Sequence, residues 1–467
     1  MKRLAGRAAV VAFALCLCWI QASSAMAAPS PTYRARAEQL VRILTQPGGE
    51  TEFFSTLFLD AVPLAQWRAI AGELRTQHGR PVALGAVRME SDTTGQVEIR
   101  YRHATVGFSL VVAPQGPGKV IGLHIVGVAT AGDTLDKVAS ELRALPGRTA
   151  MAIARLRDGG PQWLLPASAG DASMAVGSSY KLYILAELAR AVAAGERQWS
   201  DVVPLGPKSF SGRLLGWPDG APITVHSLAT AMISESDNSA SDTLMLALGR
   251  YRVDAMVFET GHAMPDRALP LLTSAEAFAL KMPGNADLLA LWRGGSNKAR
   301  HALLRDAAGR LGAQRVDIGT VAETPSAIDS AEWFASPRDM IALMHWLRHH
   351  GGDALSIMAV NPGIAPADAK RWRYIGYKGG SEPGVMAMSF LVQRQDGAWF
   401  SVSAAWNDPK ARLDEGRFVA LMTRTLNLLA AGADYQDESV SPKPTERNSG
   451  TGPFHPSSGP SSASNRR

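Results

Sequence analysis

The sequence predicts an α+β protein with two folded units, because of the chain's length and two changes of hydrophobic period. With 467 residues, the chain is too long for one compact core. Apolar residues recur with a helical period from 32 to about 80, and with a period of two from 81 to 130. The helical period then returns. We therefore expect one domain at 32–131 and a second at 134–434.

The first unit is expected to hold helices followed by a four-stranded meander. Four strand-like runs lie between 81 and 130, and turn-rich segments such as SDTTG and PQGPGK separate them. Helices followed by consecutive strands are typical of a small α+β domain.

The second unit is expected to contain one antiparallel sheet flanked by helices. It opens with the strand-like runs TAMAIARL and QWLLPA, and it ends with YIGYKGG, VMAMSFLVQR and WFSVSAAWN. A long helical region separates the two groups. One of its helices begins at Ser336 as N-cap, with Pro337 at the first helical position, and ends at Gly351. Strands from both ends of the unit therefore form the sheet.

The N-terminus has the pattern of a secretory signal peptide. Three basic residues precede an apolar stretch at 8–20, which is too short to span a bilayer, and a small-x-small cleavage site follows at 25–27. We predict a signal peptide over 1–27 and a mature chain that begins near Ala28. The protein is thus expected to be exported, to the periplasm or the extracellular medium, with no stable membrane anchor.

Charge and cysteine content exclude several function classes. The net charge of +6 falls to about +3 without the signal peptide, and no basic patch interleaved with aromatic residues is present. We therefore expect no nucleic-acid partner. Both cysteines, Cys16 and Cys18, lie within the signal peptide, so the mature chain has no disulfide, thiol nucleophile or cysteine-based metal site. No metal or cofactor is expected. The polar segment 435–467 is predicted to be a disordered tail.

The stretch AVGSSYKLYIL places Ser178 three residues before Lys181. At the start of a helix, this spacing puts both side chains on one face. A serine hydroxyl is a poor nucleophile until a base takes its proton. An amine can be that base if burial lowers its pKa, and apolar neighbours such as Leu182 and Ile184 would provide such burial.

Two further motifs follow in order along the chain. Ser236-Asp237-Asn238 lies in ISESDNSASDTL, and Lys378-Gly379-Gly380 follows the strand-like run YIGY. A single Ser-x-x-Lys arises by chance about once in a chain of this size. The ordered set of three is the signature of class A β-lactamases and penicillin-binding proteins. From about 134 to 432, the sequence therefore resembles a class A β-lactamase-type serine hydrolase domain.

The resemblance implies a role for each motif residue. Ser178 would be the acyl-accepting nucleophile and Lys181 its proton acceptor. Ser236 would relay a proton to the leaving nitrogen, and Lys378 would supply positive charge for a substrate carboxylate. Asn238 would bind the amide side chain of the substrate.

The resemblance also implies an oxyanion hole and a substrate-binding strand. The backbone N–H groups of Ser178 and Ser381 would stabilise the oxyanion. Gly379 and Gly380 would leave the strand edge clear for a substrate that lies along it.

The sequence departs from class A enzymes at the deacylating glutamate. The segment after the Ser-Asp-Asn motif lacks the Glu-x-x-Leu-Asn pattern. Glu276 has the position of a capping-box residue with Thr273, and Glu259 is interpreted as a surface acid. Glu382, four residues after Lys378, is the candidate for orienting a water. The acylation residues are thus present, whereas the deacylating base is not identified.

The small first unit and the segments SFSGRLLGWPDG and GYKGGSEPG extend the resemblance to a two-domain group of serine hydrolases, exemplified in clavulanic acid biosynthesis. That group implies an N-terminal cone of the isomerase or nuclear-transport-factor-like type. The resemblance to this two-domain group covers most of the predicted mature chain.

The leading hypothesis is an exported serine hydrolase that acts on β-lactams, which are small-molecule substrates, through an acyl-Ser178 intermediate. One alternative is a low-turnover esterase or D,D-peptidase with the same acylation residues. Another is a non-catalytic protein that binds or senses cell-wall fragments.

Overall fold

A computed structural model describes residues 31–130 and 132–432. The predicted signal peptide (1–27) and the predicted tail (435–467) lie outside these residues. In the two described ranges, no helix is both long enough and apolar enough to cross a membrane.

The N-terminal unit consists of helices followed by an antiparallel meander. Its elements are α1 (Pro31–Thr45), α2 (Glu50–Phe53), α3 (Thr56–Ala61), α4 (Leu64–His78), β1 (Pro81–Met89), β2 (Thr94–Tyr101), β3 (Ala104–Val112) and β4 (Val120–Thr130). The strands pair in the order β1-β2-β3-β4. Alternate residues of β2 and β3 are buried, because one face of the sheet packs on the helices around Tyr33 and Trp67. The relationship of the N-terminal unit to isomerase or nuclear-transport-factor-like cones stays a prediction.

The second unit is built on a five-stranded antiparallel sheet. Its strands are β5 (Arg148–Arg157), β6 (Gly160–Trp163), β7 (Met174–Ala175), β8 (Val202–Pro204), β9 (Pro222–Thr224), β10 (Phe334–Ala335), β11 (Tyr374–Glu382), β12 (Val385–Gln393) and β13 (Trp399–Asn407). The main sheet has the order β11-β12-β13-β5-β6, while β7 pairs with β10 and β8 with β9. Strands from both ends of the unit thus form one sheet, which confirms the predicted architecture.

Helices cover both faces of this sheet. They are α5 (Leu135–Arg143), α6 (Ala167–Gly170), α7 (Lys181–Ala193), α8 (Val225–Ser234), α9 (Asn238–Leu248), α10 (Arg250–Glu259), α11 (Pro265–Ala268), α12 (Ser274–Leu280), α13 (Ala286–Gly294), α14 (Asn297–Asp306), α15 (Ile318–Glu323), α16 (Pro337–His350), α17 (Ala354–Met358), α18 (Pro366–Ala369) and α19 (Glu415–Ala430). One core lies between the sheet and α5 with α19, and a larger core lies on the opposite side, under α7 and α16. The predicted start of α16 is present, with Ser336 and Asp339 in a reciprocal capping box.

β11 lies at the edge of the sheet, and this position brings two of the sequence motifs together. β12 and β13 are buried along almost their whole length, because they have neighbours on both sides and helices above and below. β11 pairs only with β12, and it packs against the short 3-10 turn Gly177–Tyr180 that precedes α7. The first and third sequence motifs therefore meet at this edge.

Candidate active site

Ser178 lies in a 3-10 turn, and Lys181 is the first residue of the α-helix that follows. In a 3-10 turn, residues three apart lie on the same side, but the described residues show no hydrogen bond between the two side chains, so their pairing stays a prediction. Ser178 is partly exposed, whereas Lys181 is completely buried. The neighbouring Ser179 is also buried, and its hydroxyl has no hydrogen-bond partner among the described residues. Of the two adjacent serines, Ser178 is therefore the accessible one.

Lys181 connects the first motif to the second. Its Nζ donates hydrogen bonds to Asn238 Oδ1 at 2.6 Å, to the Ser236 carbonyl oxygen at 2.7 Å and to Ser236 Oγ at 3.3 Å. Burial lowers the Lys181 pKa to about 7, although the charges of Asp242 and Asp237 oppose this shift. Near neutral pH, the amine can therefore lose a proton and gain the lone pair that a general base requires.

Ser236 lies between two lysines that are far apart in the sequence. Lys378 Nζ donates a hydrogen bond to Ser236 Oγ at 2.9 Å. Lys378 is almost fully buried, and burial together with the charge of Lys181 holds its pKa well below the usual value. Ser236 has φ of 58°, a left-handed conformation that is uncommon outside glycine and that occurs often at functional sites. This backbone conformation directs one hydroxyl toward both amines.

Asp237 and Asn238 hold the loop together. Asp237 accepts hydrogen bonds from the backbone N–H of Ala240, as N-cap of α9, and from that of Leu214. Asn238 Oδ1 accepts from Lys181 Nζ and also from Ser274 Oγ, while Asn238 Nδ2 donates to Ser211 Oγ. One of the two Asn238 amide hydrogens is left for a substrate.

Gly379 and Gly380 of β11 are also favoured by the protein's own packing, a reason that is additional to the predicted substrate-binding role. A Cβ on Gly380 would lie 2.2 Å from the Val176 carbonyl oxygen and 2.4 Å from the Ser178 backbone nitrogen. A Cβ on Gly379 would lie 2.0 Å from Tyr377 Oη. Glycine at 380 thus lets the strand approach the nucleophile turn, while the side-chain position of residue 379 is already filled by a tyrosine hydroxyl.

A cleft of about 380 Å³ lies over these groups. Its lining includes Ser178, Ser236, Asn238, Lys378, Gly379, Gly380 and Ser381. Seven of the sequence-predicted site residues therefore share one cleft, with Lys181 directly beneath it. The lining also contains Tyr377 and Asn361, which sequence reasoning did not select. Tyr377 stands immediately before the Lys-Gly-Gly motif, and that adjacency was the available signal.

The carboxylate of Glu382 is bound to a buried lysine. Glu382 Oε1 accepts a hydrogen bond from Lys281 Nζ at 2.5 Å, and Lys281 also contacts Glu332. All three side chains are buried. Burial and the neighbouring Glu332 raise the Glu382 pKa well above its usual value. Glu382 is not among the residues that line the cleft.

Other acids near the site are also engaged elsewhere. Glu276 forms the predicted capping box with Thr273 and an ion pair with Arg250. Asp242, also missed from sequence, accepts hydrogen bonds from the backbone N–H groups of Ser274 and Ala275, and burial raises its pKa. Within residues 132–432, no carboxylate forms a hydrogen bond with the Ser178 side chain. The arrangement can therefore activate a serine, but it contains no evident carboxylate base for a second step.

The second unit was compared with family profiles, and the chain was compared with solved structures and curated sequences. A profile described as the β-lactamase enzyme family matches residues 136–424. Solved structures similar to this chain include a β-lactamase from Sphaerobacter thermophilus, with 20% identity over 64% of this chain and 96% of that one and a TM-score of 0.44. PBP-A aligns with 16% identity over 63% of this chain and 94% of its own, with a TM-score of 0.43. A β-lactamase from Chitinophaga pinensis aligns with 15% identity over 64% and 97%, with a TM-score of 0.42. No curated protein sequence gave a match.

Proposed function

The chain belongs to the β-lactamase enzyme family, and from this premise we propose that it is an exported serine hydrolase that opens β-lactam rings through an acyl-Ser178 intermediate. One observation carries the proposal: Ser236 Oγ accepts hydrogen bonds from Lys181 and Lys378 within the cleft that Ser178 lines. Ser236 thus connects both amines, and we propose that the Ser178 hydroxyl, which forms no hydrogen bond with the described residues, joins this proton path through Lys181 when a substrate binds.

The acylation step follows from this path. Ser178 Oγ attacks the lactam carbonyl carbon, and the neutral Lys181 amine takes the hydroxyl proton. The oxyanion accepts hydrogen bonds from the backbone N–H groups of Ser178 and Ser381. As the carbon–nitrogen bond breaks, Ser236 delivers a proton to the leaving nitrogen and regains one from a lysine.

The carboxylates near the site support a second candidate function, because none of them is free to assist hydrolysis of the acyl-enzyme. Asp242, Glu276 and Glu382 are each bound to other groups of the protein. A water that attacks the ester therefore lacks a dedicated carboxylate base, and it depends on the Lys181 amine. This observation favours a low-turnover esterase or D,D-peptidase, in which acylation is fast and release is slow.

Mass spectrometry after exposure to benzylpenicillin tests the shared acylation step. We expect the mass of one penicillin to be added and to be located on Ser178. Ser178→Ala should abolish the adduct, whereas the matched variant Ser179→Ala should retain it, because the Ser179 hydroxyl has no partner to lose. An adduct that persists in Ser178→Ala would overturn the proposal.

The lifetime of the adduct separates the two candidates. Rapid loss, with continuous hydrolysis of a chromogenic lactam, supports a β-lactamase. A stable adduct together with ester or D-alanyl peptide cleavage supports the alternative. Absence of both adduct and turnover, combined with binding of cell-wall fragments, would instead indicate a sensor protein.

Export is a separate part of the proposal and has its own test. Expression of the full chain in a Gram-negative host, followed by N-terminal sequencing of the periplasmic or secreted protein, should give a start near Ala28. Recovery of a chain that retains residues 1–27 in the cytoplasm only would contradict export.

A further inference from the structure

The hydroxyl of Tyr377 occupies the place of the missing side chain at position 379. Residues two apart on a strand project from the same face, so Tyr377 and Gly379 share one face of β11. The Tyr377 Oη lies 2.0 Å from the point that a Cβ of residue 379 would occupy. Gly379 has no side chain, and the Tyr377 phenol fills that position next to Lys378 instead.

The Tyr377 ring is fixed from two sides. On one side, a Cβ on Gly363 would lie 2.5 Å from the ring, so the backbone of that glycine is in direct contact with it. On the other side, the ring packs on Phe390 of β12, with 4.8 Å between ring centroids. A ring held in this way presents its hydroxyl in one position, which reduces the entropy lost when the hydroxyl binds a ligand.

The Tyr377 hydroxyl has no protein partner. It forms no hydrogen bond with any residue in the described ranges. The hydroxyl oxygen is also not fully buried, so a ligand can reach it. Tyr377 lines the cleft together with Ser178 and Lys378. Burial of the residue raises its pKa to about 12, so the hydroxyl stays protonated near neutral pH and can donate. A donor is thus open to the cleft.

Tyr374, on the same strand, provides a comparison, because its hydroxyl is used in the protein's own packing. Its hydroxyl donates a hydrogen bond to the Leu355 carbonyl oxygen at 2.9 Å, and Tyr374 does not line the cleft. The two tyrosines therefore differ in whether the protein itself uses the hydroxyl.

The charges around Tyr377 favour an anionic ligand. Lys378 lies next to it in the strand, and its Nζ points into the same cleft toward Ser236. Glu235 is the one acid among the described residues that line the cleft, and a bidentate ion pair with Arg213 neutralises it. A carboxylate bound here could accept hydrogen bonds from the phenol and attract the Lys378 amine, a combination stronger than neutral hydrogen bonds.

We propose that Tyr377 is a substrate-binding residue whose hydroxyl donates a hydrogen bond to the carboxylate of the substrate, at the Lys378 end of the cleft. The proposal rests on the function proposed above, because it assigns a new specificity determinant to the same site. It makes the enzyme selective for substrates that carry an anionic group beside the reacting carbonyl.

Equilibrium binding to the Ser178→Ala protein tests this role without chemistry. Benzylpenicillin supplies the carboxylate, and its methyl ester is the neutral probe. Removal of a hydrogen bond to a charged group should weaken benzylpenicillin binding by roughly tenfold in Ser178→Ala/Tyr377→Phe, while ester binding changes by less than about twofold. The Phe variant keeps the ring, and therefore its packing on Gly363 and Phe390. Ser178→Ala/Tyr374→Phe is the matched control and should bind both probes as the parent does.

Three results would overturn the proposal: equal affinities with and without the Tyr377 hydroxyl, equal losses for both probes, or no benzylpenicillin binding by Ser178→Ala at all. Thermal unfolding of each variant checks that the fold is retained. The adduct experiment on the protein with an intact Ser178 stands apart from these measurements. If no adduct forms but binding depends on Tyr377, the acylation function fails while the carboxylate site stands.

Discussion

Lys181 and Lys378 place two amines against one hydroxyl, which is costly unless at least one amine is neutral. Both are buried, and burial lowers the pKa of each. Asp237 and Asp242 support the charged form of Lys181, whereas Lys181 itself disfavours the charged form of Lys378. Proton transfer at Ser178 and Ser236 therefore depends on which amine holds a proton.

The Lys181 pKa predicts how acylation depends on pH. Below a pKa of about 7, Lys181 is protonated and cannot accept the Ser178 proton. We expect the second-order rate constant for acylation to increase about tenfold per pH unit below this value and to level off above it. Stopped-flow measurements with a chromogenic lactam check the profile. Lys181→Arg should lose acylation at every pH, because a guanidinium stays charged. A rate constant that does not change between about pH 5 and 8 would contradict the assignment of Lys181 as the base.

The lowered Lys378 pKa predicts proton uptake on binding of an anion. A carboxylate in the cleft favours the ammonium form, so binding should raise the lowered Lys378 pKa toward its usual value and draw protons onto the amine. Titration calorimetry of Ser178→Ala with benzylpenicillin, in buffers of different ionisation enthalpy, measures this uptake. The apparent enthalpy should vary with the buffer at pH values between the Lys378 pKa of the free protein and that of the complex. The penicillin methyl ester provides the control and should show little variation; the same variation for both probes would argue against Lys378 as the responding group.

At the level of secondary structure, the close approach of β11 to the turn Gly177–Tyr180 determines the site. The strand lies at the sheet edge, so its unpaired side is available to the turn and to a substrate. Gly380 has no Cβ at the point of contact. The backbone N–H of Ser381, the next residue, can therefore lie near that of Ser178.

Gly380→Ala should separate the strand from the turn. Its Cβ would meet two backbone atoms, which cannot rotate away as a side chain can. We expect acylation to slow by about 100-fold or more, the usual cost of a lost oxyanion donor. The acylation rate and the thermal midpoint are to be measured together. Gly284→Ala is the control, since nothing lies within 4 Å of its Cβ position. Equal acylation rates in both variants would show that the contact does not position the donors.

The buried ion cluster of Lys281, Glu332 and Glu382 connects the ends of three elements. Lys281 follows α12, Glu332 precedes β10, and Glu382 ends β11. Lys281→Met leaves two carboxylates without their cation, and the loss of one partner in a buried ion pair costs about 3 kcal/mol or more.

Urea unfolding of Lys281→Met at two pH values checks this cost. The deficit should shrink as pH falls, because protonation of the carboxylates removes their repulsion, and the Glu382 pKa is already raised. Lys298→Met, at an exposed position, is the control and should be nearly neutral. A deficit that grows at low pH would contradict the electrostatic explanation.

At the scale of the whole molecule, the cleft belongs to one unit. Every residue that lines it comes from the part of the chain after 132. The two units meet instead at a second cavity of about 430 Å³, lined by Arg88 and Glu98 on one side and by Lys370 and Arg424 on the other. Arg424 also binds Asp133 through two hydrogen bonds, which fixes the connecting segment to α19.

This division predicts that the second unit acts by itself. A truncated chain that begins at residue 132 should fold and should form the penicillin adduct at a rate within about threefold of the full chain, since it has its own core and the complete cleft. Rates are compared by mass spectrometry at matched concentrations. If the truncated chain folds but loses adduct formation, the N-terminal unit contributes to the site. The full chain with Arg424→Ala tests the connection alone, and it should become more sensitive to proteolysis near Asp133 with no change in acylation.

The sequence by itself determined the local features of this protein. The change of period from helix to strand was sufficient for the α+β class and for the antiparallel sheet of the second unit, because side-chain periodicity is a property of neighbouring residues. The spacing of Ser178 and Lys181 was sufficient to place them one turn apart at the start of a helix. The order of the three motifs was sufficient for the family.

Only the tertiary structure decided which distant groups meet. Lys378 binds a hydroxyl 142 positions away, and this contact depends on sheet register and helix packing rather than on local pattern. The same packing directs Glu382 to Lys281, although its sequence position suggested the cleft. The same packing explains why residue 380 is a glycine, and it leaves the Tyr377 hydroxyl without a protein partner. These outcomes required the fold because a side chain's partners are set by the surfaces that pack around it, which chain neighbours do not specify.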